Sequence, residues 1–256
     1  MSLELWGLSP WVGIGLLVAA GIFAGVVNTL AGGGSFLILP LLIGLGLPPT
    51  VANGTSRVGV LLQGIGSSWA FHRDGIGEYA ATLRVALPMT VGAIGGAWLA
   101  TRVADAMFGP LIGGVLVVWA VILALRPGRF LRPPPAPTPM SWRADLVAGV
   151  IGVYGGFLQA GVGFPLLALL VPGLGYPAVV ANAIKVRAVL VYSALTLPIF
   201  GFAGQIAWKE GLALAVGTAL GGWLGARWQI RAGAGLVRWA VLVMVAIGGV
   251  SMLWPR

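Results

Sequence analysis

Long apolar runs, broken by short stretches of glycine, proline and charge, set the rhythm of this chain. The runs cover about 11–30, 36–46, 51–71, 82–100 and 107–125, then about 146–163, 164–173, 179–202, 210–228 and 234–254. Most approach the roughly 20 residues that a helix needs to cross the hydrocarbon layer of a bilayer. Two, 36–46 and 164–173, are too short, and each follows a glycine cluster: LAGGGSF at 30–36 and QAGVGF at 159–164. The pattern predicts an all-α, polytopic integral membrane protein in which the short runs are broken or re-entrant segments. A tight turn into a tilted, buried helix is the plainer alternative. The start of the chain lacks the basic region of a signal peptide, its first charge being Glu4, so 11–30 is expected as a retained helix.

The second set of runs repeats the first. Under a shift of 129 residues, Ala31, Gly32 and Gly34 fall on Ala160, Gly161 and Gly163. In the same register Gly46, Pro48, Ala52 and Asn53 fall on Gly175, Pro177, Ala181 and Asn182, and Gly92 and Gly96 on Gly221 and Gly225. Between the halves lies RPGRFLRPPPAPTPMSWR, a Pro-rich linker whose arginines place it in the cytoplasm. The expected organisation is a first transmembrane repeat over 1–125, a linker over 126–143 and a second repeat over 144–256. Five crossings per half make the two homologous repeats inverted and four make them parallel; inverted is the preferred reading.

Composition narrows the function. Only 8% of residues are charged, against roughly 25% in soluble domains, and no polar stretch is long enough for a soluble catalytic domain. The net charge of +9 sits at segment ends or is spread along the chain. That suits membrane topology and argues against nucleic acid as a partner. There is no cysteine and a single histidine, His72, so no metal site is expected. Neither glycine cluster matches GxxxxGK[ST], and no cofactor is expected. An intramembrane enzyme lacks its His–Ser or paired-Asp arrangement. Tryptophans such as Trp69, Trp98, Trp119, Trp208 and Trp228 read as interface anchors. Gly92, Gly95, Gly96, Gly221, Gly222 and Gly225 read as close-packing faces.

The candidate chemistry lies in VANGTSR at 51–57 and VANAIKVR at 180–187. On a helix starting near Thr50, the residues Asn53, Ser56, Arg57, Val60, Gln63, Gly64 and Ser67 share one side. Asn182, Lys185, Val189, Tyr192, Ser193 and Thr196 do so in the second copy. Arg57, Lys185 and Arg187 have no acid in either run to neutralise them. An isolated charge in the hydrocarbon layer usually faces the protein interior or a water-filled path, and a small anion would supply the missing charge. The alternative is that these cations snorkel to the headgroups, Arg187 first among them. Glycine clusters offer backbone amides to an anion, with Asn28, Ser35 and Gln159 adding polar contacts.

The segments AGGGSFLILPLLIGLGLPPTVANGTS and GGFLQAGVGFPLLALLVPGLGYPAVVANAIK resemble the TauE/SafE (sulfite exporter) family, over about 13–254. The resemblance implies a multi-pass protein of the cell inner membrane that moves small sulfur-containing anions. Mapped here, its motif residues are Gly32, Gly33, Gly34, Pro40, Asn53, Thr55 and Ser56, with Gly161, Gly163, Asn182 and Lys185 from a second copy that lacks the Thr-Ser pair. Without Pro40, and with Arg57 and Gln159 from the reading above, these form the expected substrate site. The function expected is secondary transport or export of small anions, sulfur oxyanions or organosulfonates, by alternating access at the repeat interface. Translocation of anionic lipid headgroups is the alternative. Partners are then the anion and membrane lipids, with a homo-oligomer left open.

Overall fold

The computed structural model describes residues 10–125, 138 and 141–233. The expected run at 234–254 and most of the linker lie outside them. Among the described residues the chain is helical throughout. The first half gives α1 (Pro10–Leu30), α2 (Ser35–Gly44), α3 (Pro49–Arg73), α4 (Tyr79–Ala100) and α5 (Asp105–Leu125). The second gives α6 (Trp142–Phe157), α7 (Gly163–Ala168) with a π-helical turn at Leu169–Gly173, α8 (Ala178–Phe202) and α9 (Trp208–Ala232). α1, α4 and α8 are long and apolar enough to cross a membrane on their own, and the protein is a multi-pass membrane protein.

Local chemistry sets these boundaries twice over, at positions 129 apart. Pro48 and Pro177 precede α3 and α8 with φ near −55° (−53° and −55°) and ψ of 144°, the extended entry a helix start requires. Both helices end alike. Gly75 and Gly204 adopt positive φ, while Ile76 N–H bonds Phe71 O and Gln205 N–H bonds Phe200 O, each at 3.0 Å. This is the Schellman arrangement, which a Cβ-free residue favours. The one run that the pattern overextends is 146–163. There α6 stops at Phe157, because 158–162 turn into the second break.

Glycine lets the helices touch backbone to backbone. A methyl group on Gly217 would lie 2.1 Å from Val18 O, and one on Gly221 2.1 Å from Ile22 O. Gly92 stands in the same relation to Gly149 O and Gly96 to Val153 O. Residue numbers rise together in both pairs, so α1 runs parallel to α9 and α4 parallel to α6. In lipid, where apolar burial gives no drive, small residues allow this close van der Waals packing. Gly95 departs from its expected role: nothing lies within 4 Å of its would-be Cβ.

α3 and α8 form the centre, and they run in opposite directions, with Gly54 against Phe200 and Gly64 against Leu190. The sides named from periodicity are the buried ones. Asn53, Ser56, Arg57 and Ser67 are fully buried, as are Asn182, Tyr192, Ser193 and Thr196, while Ile65 and Trp69 face outward. α2 is too short to span, at ten residues and about 1.5 Å per residue. The start of α3 is tied to the start of α5 by Thr50, whose N–H and hydroxyl both donate to Asp105 Oδ1, at 3.0 and 2.7 Å.

Candidate functional site

α1 ends at Leu30 although its neighbours α3 and α9 run on to Arg73 and Ala232. A helix end leaves its last carbonyls without partners, and inside a bilayer each must find one within the protein. α8 supplies them. Asn182 Nδ2 donates to Leu30 O at 3.0 Å, and Lys185 Nζ donates to Asn28 O at 3.1 Å and Thr29 O at 2.9 Å. α3 does the same for the end of α6. Asn53 Nδ2 donates to Phe157 O at 3.0 Å, and Arg57 Nη2 and Nη1 donate to Gly156 O and Gly155 O at 2.6 and 3.2 Å. The two cations therefore sit at the negative ends of two helix dipoles. Carbonyl groups, rather than carboxylates, meet them.

The glycine breaks that follow these two ends meet each other. Gly32 has φ +89°, and a Cβ there would lie 2.4 Å from Gly163 Cα; the reverse distance is the same. No side chain fits between the two backbones at this crossing. Gly34 is pressed against Ala24 O on α1, and Gly33 O accepts Phe36 N–H at 3.0 Å. Gly161, with φ +73°, faces the rings of Phe36 and Trp119. Beside it Gln159 holds φ +66° without being a glycine, a conformation that costs energy and marks functional positions.

Around this crossing lies a cavity of ≈ 20 Å³, about enough for one water molecule. Its polar lining is Asn28, Ser35, Gln63, Gln159 and Lys185, with Gly32 and Gly163 at the crossing; Val60, Val162, Val186 and Val189 form the apolar wall. Of the residues expected from sequence, Gly32, Gln159, Gly163 and Lys185 border it. Arg57 stands behind Gln159, bonded to its Oε1 at 3.0 Å and stacked 4.2 Å from the Phe200 ring centroid. Asn53 and Asn182 serve the helix ends. Ser56 Oγ donates to Asn53 O at 2.8 Å, and Thr55 Oγ1 accepts Ala207 N–H at 2.9 Å, at the start of α9.

Asn28, Ser35 and Gln63 are polar lining residues outside the expected site, and of these Gln63 had not been given a polar contact with the anion. Its Oε1 accepts Asn28 Nδ2 at 2.5 Å and its Nε2 donates to Thr29 Oγ1 at 3.0 Å, with Ser67 Oγ 2.9 Å further on. Its place on the polar side of α3 was the available signal. Two other expectations change. Arg187 does not reach outward: its Nη2 donates to Ile76 O at 2.5 Å and its guanidinium lies 4.7 Å from the Tyr79 ring, tying down the loop after α3. Trp119 is half-buried rather than an interface anchor. Its Nε1 donates to Tyr154 Oη at 2.9 Å, and that hydroxyl donates to Ala160 O.

Comparison with known proteins agrees with this architecture. The model of the family described as "Sulfite exporter TauE/SafE" matches residues 17–252. A Sinorhizobium sp protein named "Probable membrane transporter protein ORF9" is 27% identical over 235 residues, covering 91% of this chain and 89% of its own. A Haemophilus influenzae "Probable membrane transporter protein" is 25% identical over 95% of both chains. The Escherichia coli "Probable membrane transporter protein YfcA" is 25% identical over 98% of this chain and 93% of its own. No solved structure matches. The chain belongs to the sulfite exporter TauE/SafE family.

Proposed function

We propose that this member of the family is a secondary transporter of the cell inner membrane. It moves small oxyanions, sulfur oxyanions and organosulfonates foremost, by alternating access between two inverted homologous repeats. The observation that carries the reading is the cavity at the crossing of the two breaks. It has amide and hydroxyl groups facing a wall of valines, and is bordered by the Lys185 amino group, whose other bonds go to carbonyls. Such a site favours a ligand with negative charge and hydrogen-bond acceptors.

The repeat is supported by helix bounds and positive-φ glycines that recur 129 residues apart, Gly32 with Gly161, Gly46 with Gly175 and Gly75 with Gly204. Inversion is supported by the opposed directions of α3 and α8, which hold equivalent places in the two halves. Sites at such interfaces, built from interrupted helices, are a recurrent design in transporters. The cavity is small, with room for about one water molecule, so it has to widen to admit an oxyanion. In this scheme Gly32, Gly33, Gly34, Gly161 and Gly163 shape the breaks. Lys185, Gln159, Gln63 and Ser35 contact the anion, and Asn53, Thr55, Ser56, Arg57 and Asn182 hold the helix ends around it.

A thermal-shift screen of the detergent-solubilised protein tests this, with sulfite, sulfate, thiosulfate, taurine, sulfoacetate, lactate and phosphate. A ligand that binds the folded state raises its apparent stability. The expected result is a shift with a sulfur oxyanion that disappears in Lys185→Ala. A shift with anionic lipids alone would move the assignment to lipid headgroups.

A further inference from the structure

We propose that Lys185 is the coupling group of the transport cycle: one proton, carried on its Nζ, crosses with each anion. This rests on the transport reading above and names how the same site is energised.

The geometry separates the two cations at the repeat interface. Arg57 is fully buried and its guanidinium is engaged by Gly155 O, Gly156 O, Gln159 Oε1 and the Phe200 ring. Guanidinium keeps its proton in proteins, so this charge is permanent, and the end of α6 is built around it. Lys185 is 2% exposed and gives two N–H bonds to carbonyls, leaving its third Nζ position to face the cavity. The ion pair among the described residues is Arg84 with Asp145, and Lys185 takes no part in it. A buried ammonium without a counter-ion is relieved in two ways, by an anion beside it or by release of its proton. The cavity provides for the first when loaded; when it is empty, a neutral amine still has the two N–H bonds that the carbonyls of Asn28 and Thr29 take.

The surroundings leave no other carrier at the cavity. α1, α2 and α7 bring no titratable side chain. On α3 the nearest charge is Arg57, and on α6 and α8 the nearest titratable groups are Tyr154, Tyr192 and Arg187, the last bonded to Ile76 O. The carboxylates at this end of the bundle are elsewhere. Asp145 pairs with Arg84 at 3.7 Å, and Asp74 and Glu78 are exposed in the loop after α3. On α9, Arg227 lies over Trp223.

The cycle then balances. In the empty site Nζ is a neutral amine. Binding brings one anion and one proton, giving –NH3⁺ beside the anion with no net charge change for a monoanion. After reorientation both leave, and the neutral carrier returns.

The test uses the purified full chain in proteoliposomes, with methanesulfonate and sulfate as probes, since neither holds a proton near neutral pH. Anion uptake and internal pH are followed together. A pH gradient alone, with the membrane potential clamped at zero, is expected to concentrate methanesulfonate about tenfold per pH unit. Lys185→Arg, which keeps the charge but not its release, and Lys185→Gln, which removes it, should both lose proton movement. Their folding is checked by size-exclusion profile. A wild type that moves either anion without protons overturns the coupling and leaves the transport reading standing. Proton movement retained in both Lys185 variants overturns it equally. If neither anion moves, the transport reading fails and the coupling fails with it.

Discussion

Arg57 and Lys185 occupy nearly equivalent places in the two halves, yet they are built differently. Each caps the end of an interrupted helix, alongside an equivalent asparagine, Asn53 or Asn182. Around Arg57 the guanidinium meets two carbonyls, Gln159 Oε1 and the Phe200 ring, and it is not among the residues that line the cavity at the crossing. Around Lys185 the acceptors are two carbonyls and the rest is cavity, backed by Asn28, Gln63 and Ser35. The residues 129 places from Gln63, Asn28 and Ser35 are Tyr192, Phe157 and Phe164. One end of the pseudo-symmetric pair is filled with rings and the other is left polar. The duplicated frame thus yields one structural cation and one that faces a ligand.

Substitutions can break this contrast. The largest expected effect is Arg57→Ala. It leaves two backbone carbonyls and Gln159 Oε1 without their donor, and should cost about 1–3 kcal/mol for each acceptor left buried and unpaired. Detergent thermal melts would read it. If Arg57→Ala melted like the wild type but lost its anion-induced shift, the two cations would have exchanged roles. Next is Gly32→Ala, where a methyl group meets Gly163 Cα at 2.4 Å on a positive-φ backbone. Overpacking of this kind costs roughly 1–3 kcal/mol, and Gly163→Ala should cost less than Gly32→Ala, because it shares the contact but not the positive φ. Lys185→Ala leaves two carbonyls of α1 unpaired, for about 1–3 kcal/mol. Its distinguishing result is the loss of the anion-induced shift. Asn53→Ala and Asn182→Ala should each lose about 1 kcal/mol. Equal losses sharpen the equivalence of the two caps, and unequal ones would place one asparagine on the ligand. Gly95→Ala, with open space around it, should stay within about 0.5 kcal/mol of the wild type.

Much of the fold was legible because a bilayer leaves few choices. Nine of the ten apolar runs fall on helices or helix fragments among the described residues, since backbone in hydrocarbon must bond within its own segment. Pro48 and Pro177, in register 129 residues apart, marked the starts of α3 and α8. The buried sides of α3 and α8 followed from helical spacing. The site was legible only in outline. Gly32, Gln159, Gly163 and Lys185 line the cavity as expected. Arg57 was read as lacking a counter-charge because its partners are backbone carbonyls of α6, which carry no letter of their own. Trp119 looked like other tryptophans until α5 brought it to Tyr154.

The sequence by itself determined that this chain is an all-helical membrane protein, where α3 and α8 begin, and which family it belongs to. Those follow from apolar run length, from backbone-restricting residues and from local motif. Only the tertiary structure decided which cation meets a cavity and which is enclosed. That depends on contacts between residues about 100 to 157 positions apart, such as Arg57 with Gly156 and Lys185 with Asn28. No local pattern encodes which two interrupted helices will end against which two charged side chains.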